Sequence, residues 1–334
     1  FWPVTRQIDR FPGFLCIISP HPEIDTMEQI SFLLAALLIS SSAAAASLKI
    51  GLLQIEDSVP FYVAEQEGFF KDENVRVELV PFLSALERDS ALTAGAIDGA
   101  ISDPIGALLL DQGRGLIKIT SLGLGKTPAE GVFAILAAPS SKIHAVDDLK
   151  GVDIAVSNAT IIEYVTDRLL EEQGFSPEDR SKVEIKKMPI RMQMLLSGTV
   201  QAATLPEPLS SSAAGKGARV LITDADLNQR LSQTVVIMSS GALIDKKHEV
   251  KALFRAYRRA VQAINGDPQR YRDLVVEKGR IPPFLANSYP IAVYPAPEPF
   301  SRDLFEPAAQ WLADKGLTAT ITYEDIVATD FLED

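Results

Sequence analysis

From Leu48 onward, short apolar runs alternate with helix-patterned stretches, and this alternation restricts the fold more than any other feature of the chain. Strands covered by helices on both faces read as nearly continuous apolar runs. Such runs occur at 48–54 (LKIGLLQ), 75–82 (VRVELVPF), 96–103 (AIDGAISD), 116–123 (LIKITSLG) and 132–139 (VFAILAAP), with helical patterns between them. Ser58 and Pro60 supply a start signal for the first helix, and Gly68 a stop. The pattern then restarts after 147–151 (DDLKG), with strands at 152–157, 183–188, 202–205 and 218–223 and helices at 161–173 and 192–196. A further strand, 234–240 (TVVIMSS), precedes a helical C-terminal region at 249–265, 269–277 and 305–314. The expectation is an α/β protein of two lobes, each a mostly parallel sheet flanked by helices, with the ligand cleft between them. Residues 48–138 and 233–334 are assigned to the first lobe, and residues 139–232 to a second lobe inserted into it.

Composition removes several function classes. Hydrophobic residues make up 47% of the 334, too many for a disordered chain. The formal charge of −12 would repel a nucleic-acid backbone. The single cysteine, Cys16, lies in the leader, so the body can hold no disulfide, no thiolate-bound zinc and no thiol nucleophile. His144 and His248 stand alone on polar, Lys-adjacent stretches, and His21 lies in the leader, so no metal site or cofactor is expected. The stretch 121–126 (SLGLGK) lacks the glycine spacing of a phosphate loop and reads as an ordinary loop.

Residues 1–47 are set apart as a leader. The apolar run 30–39 (ISFLLAALLI) leads into a Ser/Ala tract with small residues at Ala44 and Ala46, the pattern of a secretory signal. It is short of the roughly 20 apolar residues that span a bilayer, so export to the periplasm is expected rather than anchoring. Met27 is followed by Glu28 with no basic residue before the run, which leaves the start site open. Bulky Phe14 and Leu15 before Cys16 argue against a lipid-bearing cysteine.

In open α/β sheets ligands gather at the carboxyl ends of strands, where helix N-termini offer free N–H groups. Five segments meet this description: 56–61, 83–85, 102–104, 157–160 and 205–208. They supply Glu56, Asp57 and Ser58; Ser84; Ser102 and Asp103; Ser157, Asn158 and Thr160; and Glu207, with Phe61, Tyr62 and Phe82 as flat apolar walls. Each polar member has a second reading: 157–160 and Asp103 as plain helix caps, and Glu207, between two prolines, as a turn residue. Arg191 is the nearest candidate cation, with a surface ion pair as its alternative. Four carboxylates without a lysine or arginine in the same segments favour a neutral or cationic nitrogen-containing ligand over a bare anion.

Two stretches echo one another, 94–104 (AGAIDGAISDP) and 197–208 (SGTVQAATLPEP), as expected of two similar lobes. With 51–82 (GLLQIEDSVPFYVAEQEGFFKDENVRVELVPF), 144–157 (HAVDDLKGVDIAVS) and 254–265 (FRAYRRAVQAIN), the chain resembles periplasmic substrate-binding proteins of nitrate, sulfonate, taurine and thiamine-pyrimidine importers over most of residues 48–300. The resemblance implies a monomeric two-lobe receptor that closes on a small solute and delivers it to the membrane subunits of an ABC importer. Gln201 stands where that family usually has Asp and is read as a local turn cap. The family also reaches a yeast-type pyrimidine synthase, whose implied chemistry rests on a Cys-rich motif and histidines. A lyase or synthase using Asp103 and Glu207 as acid and base is therefore the alternative to a receptor.

Overall fold

A computed structural model describes residues 47–127, 130 and 133–332. Leader residues 1–46, with Cys16, His21 and the apolar run 30–39, lie outside the described residues, and Ser47, assigned to the leader, instead opens the first strand. Two five-stranded sheets organise the body. The first takes β1 (Ser47–Leu53), β2 (Arg76–Phe82), β3 (Gly99–Ser102) and β4 (Ile117–Leu124), and the second β5 (Phe133–Ala137), β6 (Ile154–Val156), β7 (Lys182–Glu184), β8 (Ala202–Pro206) and β9 (Arg219–Thr223). Strand β10 (Thr234–Ser239) returns to the first sheet. Seven helices matter for the site: α1 (Val59–Gln66), α2 (Ala85–Thr93), α3 (Pro104–Asp111), α4 (Ile161–Glu172), α5 (Met188–Leu196), α6 (Lys247–Gly266) and α7 (Arg302–Asp314).

The orders β2-β1-β3-β10-β4 and β7-β6-β8-β5-β9 are the same arrangement built twice. In each sheet the first three strands run parallel, and the fourth is antiparallel to both of its neighbours. That fourth strand is always the first one after the chain crosses between lobes. Strand 133–137 was assigned with residues 48–138 to the first lobe, and this is corrected: it pairs Ile135 with Thr204 and with Ile222, inside the second sheet. An apolar run marks a strand but does not say which sheet it joins. The crossing segments run close together, since a Cβ built on Gly125, whose φ is +87°, would lie 2.4 Å from the Ser232 carbonyl oxygen. Only glycine fits there.

The core follows from this layering. α6 carries its apolar stripe of Leu253, Phe254, Tyr257, Ala260 and Val261 against α1, where Phe61 stacks on Tyr257 at 4.8 Å between ring centres. Each large apolar side chain of this stripe, such as Leu253 or Phe254, contributes about 1.5–3 kcal/mol through removal from water. A second apolar cluster is continuous across both lobes, from Ile119 and Val235 of the first sheet to Ile135 and Val156 of the second, and includes Trp311 and Leu312 of α7. The C-terminal helix thus belongs to the packing of both sheets.

Candidate functional site

The carboxyl ends of β1, β3, β6 and β8 converge on a cavity of about 60 Å³, lined from the first sheet by Asp57, Arg88, Ser102 and Asp103 and from the second by Ser157, Thr160, Lys186, Met188 and Pro206. Phe133 and Thr234, the first residues of the two strands that follow the crossings, complete its wall. A second cavity of about 240 Å³ shares Ala85, Asp103, Ser157, Thr160 and Lys186 with it and adds Ser84 and Asn158. The space accommodates several water molecules or one small organic group.

Helix starts bring the polar groups here. Asp103 caps α3, its Oδ1 accepting from the Gly106 N–H at 2.8 Å, with Pro104 pre-set at the first helical turn. The backbone N–H of Ile161, at the start of α4, also favours its ionised form. Thr160 caps α4 by accepting from the Ile162 N–H at 3.2 Å and donates to the Ser157 carbonyl at 2.7 Å. Capping and cavity-facing are both true of Asp103 and Thr160. Burial drives the acids toward their neutral forms: Asp57 is pushed up to about 7, eased by the Ser58 hydroxyl and the Arg88 charge and raised further by Asp103. Asp103 is also raised by burial, opposed by Arg88 and by the two N–H donors.

The other expected site residues lie elsewhere. Glu56 is behind the cavity, taking the Tyr289 hydroxyl on Oε2 at 2.9 Å, while Tyr294 donates to its backbone carbonyl. Burial, then the nearby Glu207 and Asp57 charges, raise Glu56 to about 8, against the Tyr289 hydrogen bond. Glu207 holds the Ser210 and Ser211 hydroxyls as a turn residue would, and its buried Oε2 has no partner. Ser58 is buried and donates to Asp57. The expectation that Phe61 walls the pocket is corrected, because its ring is wholly enclosed between α1 and α6. Phe82, at the end of β2, packs against the apolar core beside Gly51 and reaches neither cavity. Ser84 is the exception: it lines the second cavity and also caps α2, accepting from the Glu87 N–H. Gln201 donates to the Gly198 carbonyl at 3.1 Å, the turn cap expected of it.

Arg191 fits neither of its readings. It is completely buried under the second-lobe floor, donating to the Ile185 and Thr204 carbonyls at 3.0 Å and to the Ser157 hydroxyl. Burial lowers it to about 9. Arg88, overlooked in the sequence, is its counterpart: also buried, it donates to the Ile101 carbonyl at 2.9 Å and to Ser102 Oγ at 2.8 Å. Each arginine reaches a carbonyl 13 residues further along, within the middle strand of its own sheet. The signal lay just ahead of the echoed stretches, where Arg88 precedes Leu92 and Gly95 at the same spacing as Arg191 precedes Leu195 and Gly198. Lys186 and Thr234 were also missed. They reach the cavity from segments with no capping pattern.

Residues 56–271, more than half of the chain, match the family described as NMT1/THI5 like. The chain belongs to that family. A protein of Brachyspira hyodysenteriae named as an ABC transporter periplasmic binding protein is 26% identical over 244 residues, covering 69% of this chain and 68% of its own length. The alkanesulfonate-binding protein SsuA from Xanthomonas axonopodis pv. citri, bound to MOPS, superposes with a TM-score of 0.72 at 20% identity, covering 85% of this chain and 99% of its own. The aliphatic sulphonate binding protein SsuA from Escherichia coli gives 0.69 at 19%, covering 84% and 97%. The desulfurization enzyme DSZB shares the fold at 0.65 and 15%, covering 86% and 97%. This NMT1/THI5-like protein therefore has the two-lobe periplasmic-binding-protein fold. Among the described residues, no helix is long and apolar enough to cross a membrane, and no cluster of His, Cys, Asp and Glu could hold a metal ion.

Proposed function

We propose that this protein is an extracytoplasmic receptor that closes its two lobes on a small nitrogen-containing organic solute, neutral or cationic, and delivers it as a monomer to the membrane subunits of an ABC importer. The observation that carries the reading is the pairing of Asp57 with Asp103 on a cavity fed by strand ends of both sheets. The Arg88 guanidinium beside them is occupied by Ile101, Ser102 and Asp89, and Lys186 lies 3.7 Å from Glu184. What remains in the cavity is the acceptor capacity of the two acids and the unpartnered Thr234 hydroxyl. An amine or aminopyrimidine edge gains charge-assisted hydrogen bonds from it, whereas a bare anion meets two acids.

A second reading, a lyase or synthase on the same fold, is favoured by those acids themselves, because a carboxyl with a pKa near 7 is matched to proton transfer at neutral pH. Native mass spectrometry of the protein taken from the extracytoplasmic fraction, without denaturation, separates the two. A receptor emerges with one unchanged organic molecule bound. An enzyme converts that molecule on incubation, and a protein found only in the cytoplasm contradicts the receptor.

A further inference from the structure

The C-terminal helix reaches the ligand loop of the second lobe through one carboxylate. Lys315, just past the end of α7, places Nζ 2.7 Å from Glu163 Oε1 and 2.9 Å from Asp167 Oδ2. Lys182 of β7 approaches the same pair at 2.9 and 2.6 Å, and the Trp311 indole donates to Asp167 Oδ2 at 3.1 Å. Both acids are buried, so solvent and salt screen the cluster far less than a surface ion pair. The other oxygen of Glu163, Oε2, accepts from the Ala159 N–H at 2.6 Å. Ala159 has φ +55°, in the left-handed region that an alanine enters only when its surroundings compel it. Its neighbours Asn158 and Thr160 line the cavities.

We infer that Glu163 and Lys315 are positioning residues of the binding site: the strut Lys315–Glu163–Ala159 fixes the left-handed turn that presents 157–160 to the ligand. α7 packs on α3 in the first lobe, whose capping residue is Asp103, and through Trp311 against Tyr164 of α4, with ring centres 5.5 Å apart. One C-terminal element thus supports the helices that start on both sides of the cavity. The inference rests on the receptor reading only in taking 157–160 as ligand-facing.

Amide hydrogen exchange on the ligand-free protein tests it without a solute, so its failure is separate from that of the proposed function. Lys315→Met and Glu163→Gln are expected to speed exchange of the 158–160 amides by about tenfold or more, with exchange in β1 unchanged. Glutamine has one acceptor oxygen where glutamate has two, so it cannot serve Ala159 and the lysines together. Lys315→Arg should restore the slow exchange. Unchanged exchange at 158–160 in both variants, or a uniform rise over the whole chain, overturns the proposal. So does a failure of Lys315→Arg to rescue while Lys315→Met is fast.

Discussion

Arg88 and Arg191 occupy matching places in the two lobes, each buried, and each tying the middle strand of its sheet to a serine that faces the cavity, Ser102 in one and Ser157 in the other. Both are deprived of water and satisfied mainly by carbonyls and hydroxyls rather than by carboxylates, apart from Asp89 beside Arg88. Their role is to hold the floor of the site rigid.

Removing Arg191 therefore takes from the Ile185 and Thr204 carbonyls the guanidinium donors they accept from. Arg191→Met should lower stability by about 3 kcal/mol, an unsatisfied buried polar group costing roughly 1–3 kcal/mol. Urea unfolding checks this: the midpoint should fall with an unchanged slope. Arg191→Lys should recover only part of the loss, because an ammonium cannot match the planar fork.

Stability should fall as pH rises from about 5 to about 9. Glu56 at about 8 and Asp57 at about 7 lie above their ordinary values of 4.5 and 3.8, so across that window the folded chain holds protons the unfolded chain has lost. Their contribution is complete below those ordinary values and disappears as pH passes the folded ones. Glu163 and Asp167 act oppositely. Burial raises them, but the lysine hydrogen bonds more than offset it and leave both lowered, so their contribution is lost on acidification. Melting temperature against pH should peak between these limits, and Glu56→Gln should flatten the alkaline side.

Ligand charge should appear as proton traffic. With Asp57 near half-protonated at pH 7, a bound ammonium favours its carboxylate and expels a proton, whereas an anion draws one in. Calorimetry in two buffers of different ionisation enthalpy reads the sign, and uptake would count against the nitrogen-containing solute.

Trp311→Ala should destabilise by about 3–5 kcal/mol, because the indole is buried in the cluster shared by both lobes and donates to Asp167. Thermal unfolding measures the loss, and a change below about 1 kcal/mol would mean that α7 is a surface attachment.

The alternation of β1 to β4 with helices could be read from the sequence because strands enclosed on both faces are apolar throughout, and Ser157, Thr160 and Asp103 were legible because capping has a local pattern. Strand β5 was placed in the wrong sheet because its partners, β8 and β9, are fixed by the crossing and not by its own residues. Phe61 was misread for a related reason: its position beside polar loop residues said nothing of α6, which covers it from far along the chain. Arg88, Lys186 and Thr234 reach the cavity by tertiary packing alone, so no local pattern announced them.

The most direct measurement is the thermal shift given by a library of organic nitrogen compounds, sulfonates and carboxylates, run in parallel on the wild-type protein and on an Asp57→Asn/Asp103→Asn variant. A solute at a hundredfold excess over its Kd stabilises the closed protein by about 2.7 kcal/mol, a rise of roughly 5 °C or more for a body of this size. The account predicts such a rise for an amine-bearing or aminopyrimidine solute in the wild type and little or none in the variant. Shifts produced only by sulfonates or other anions, and equal in the two proteins, would contradict it.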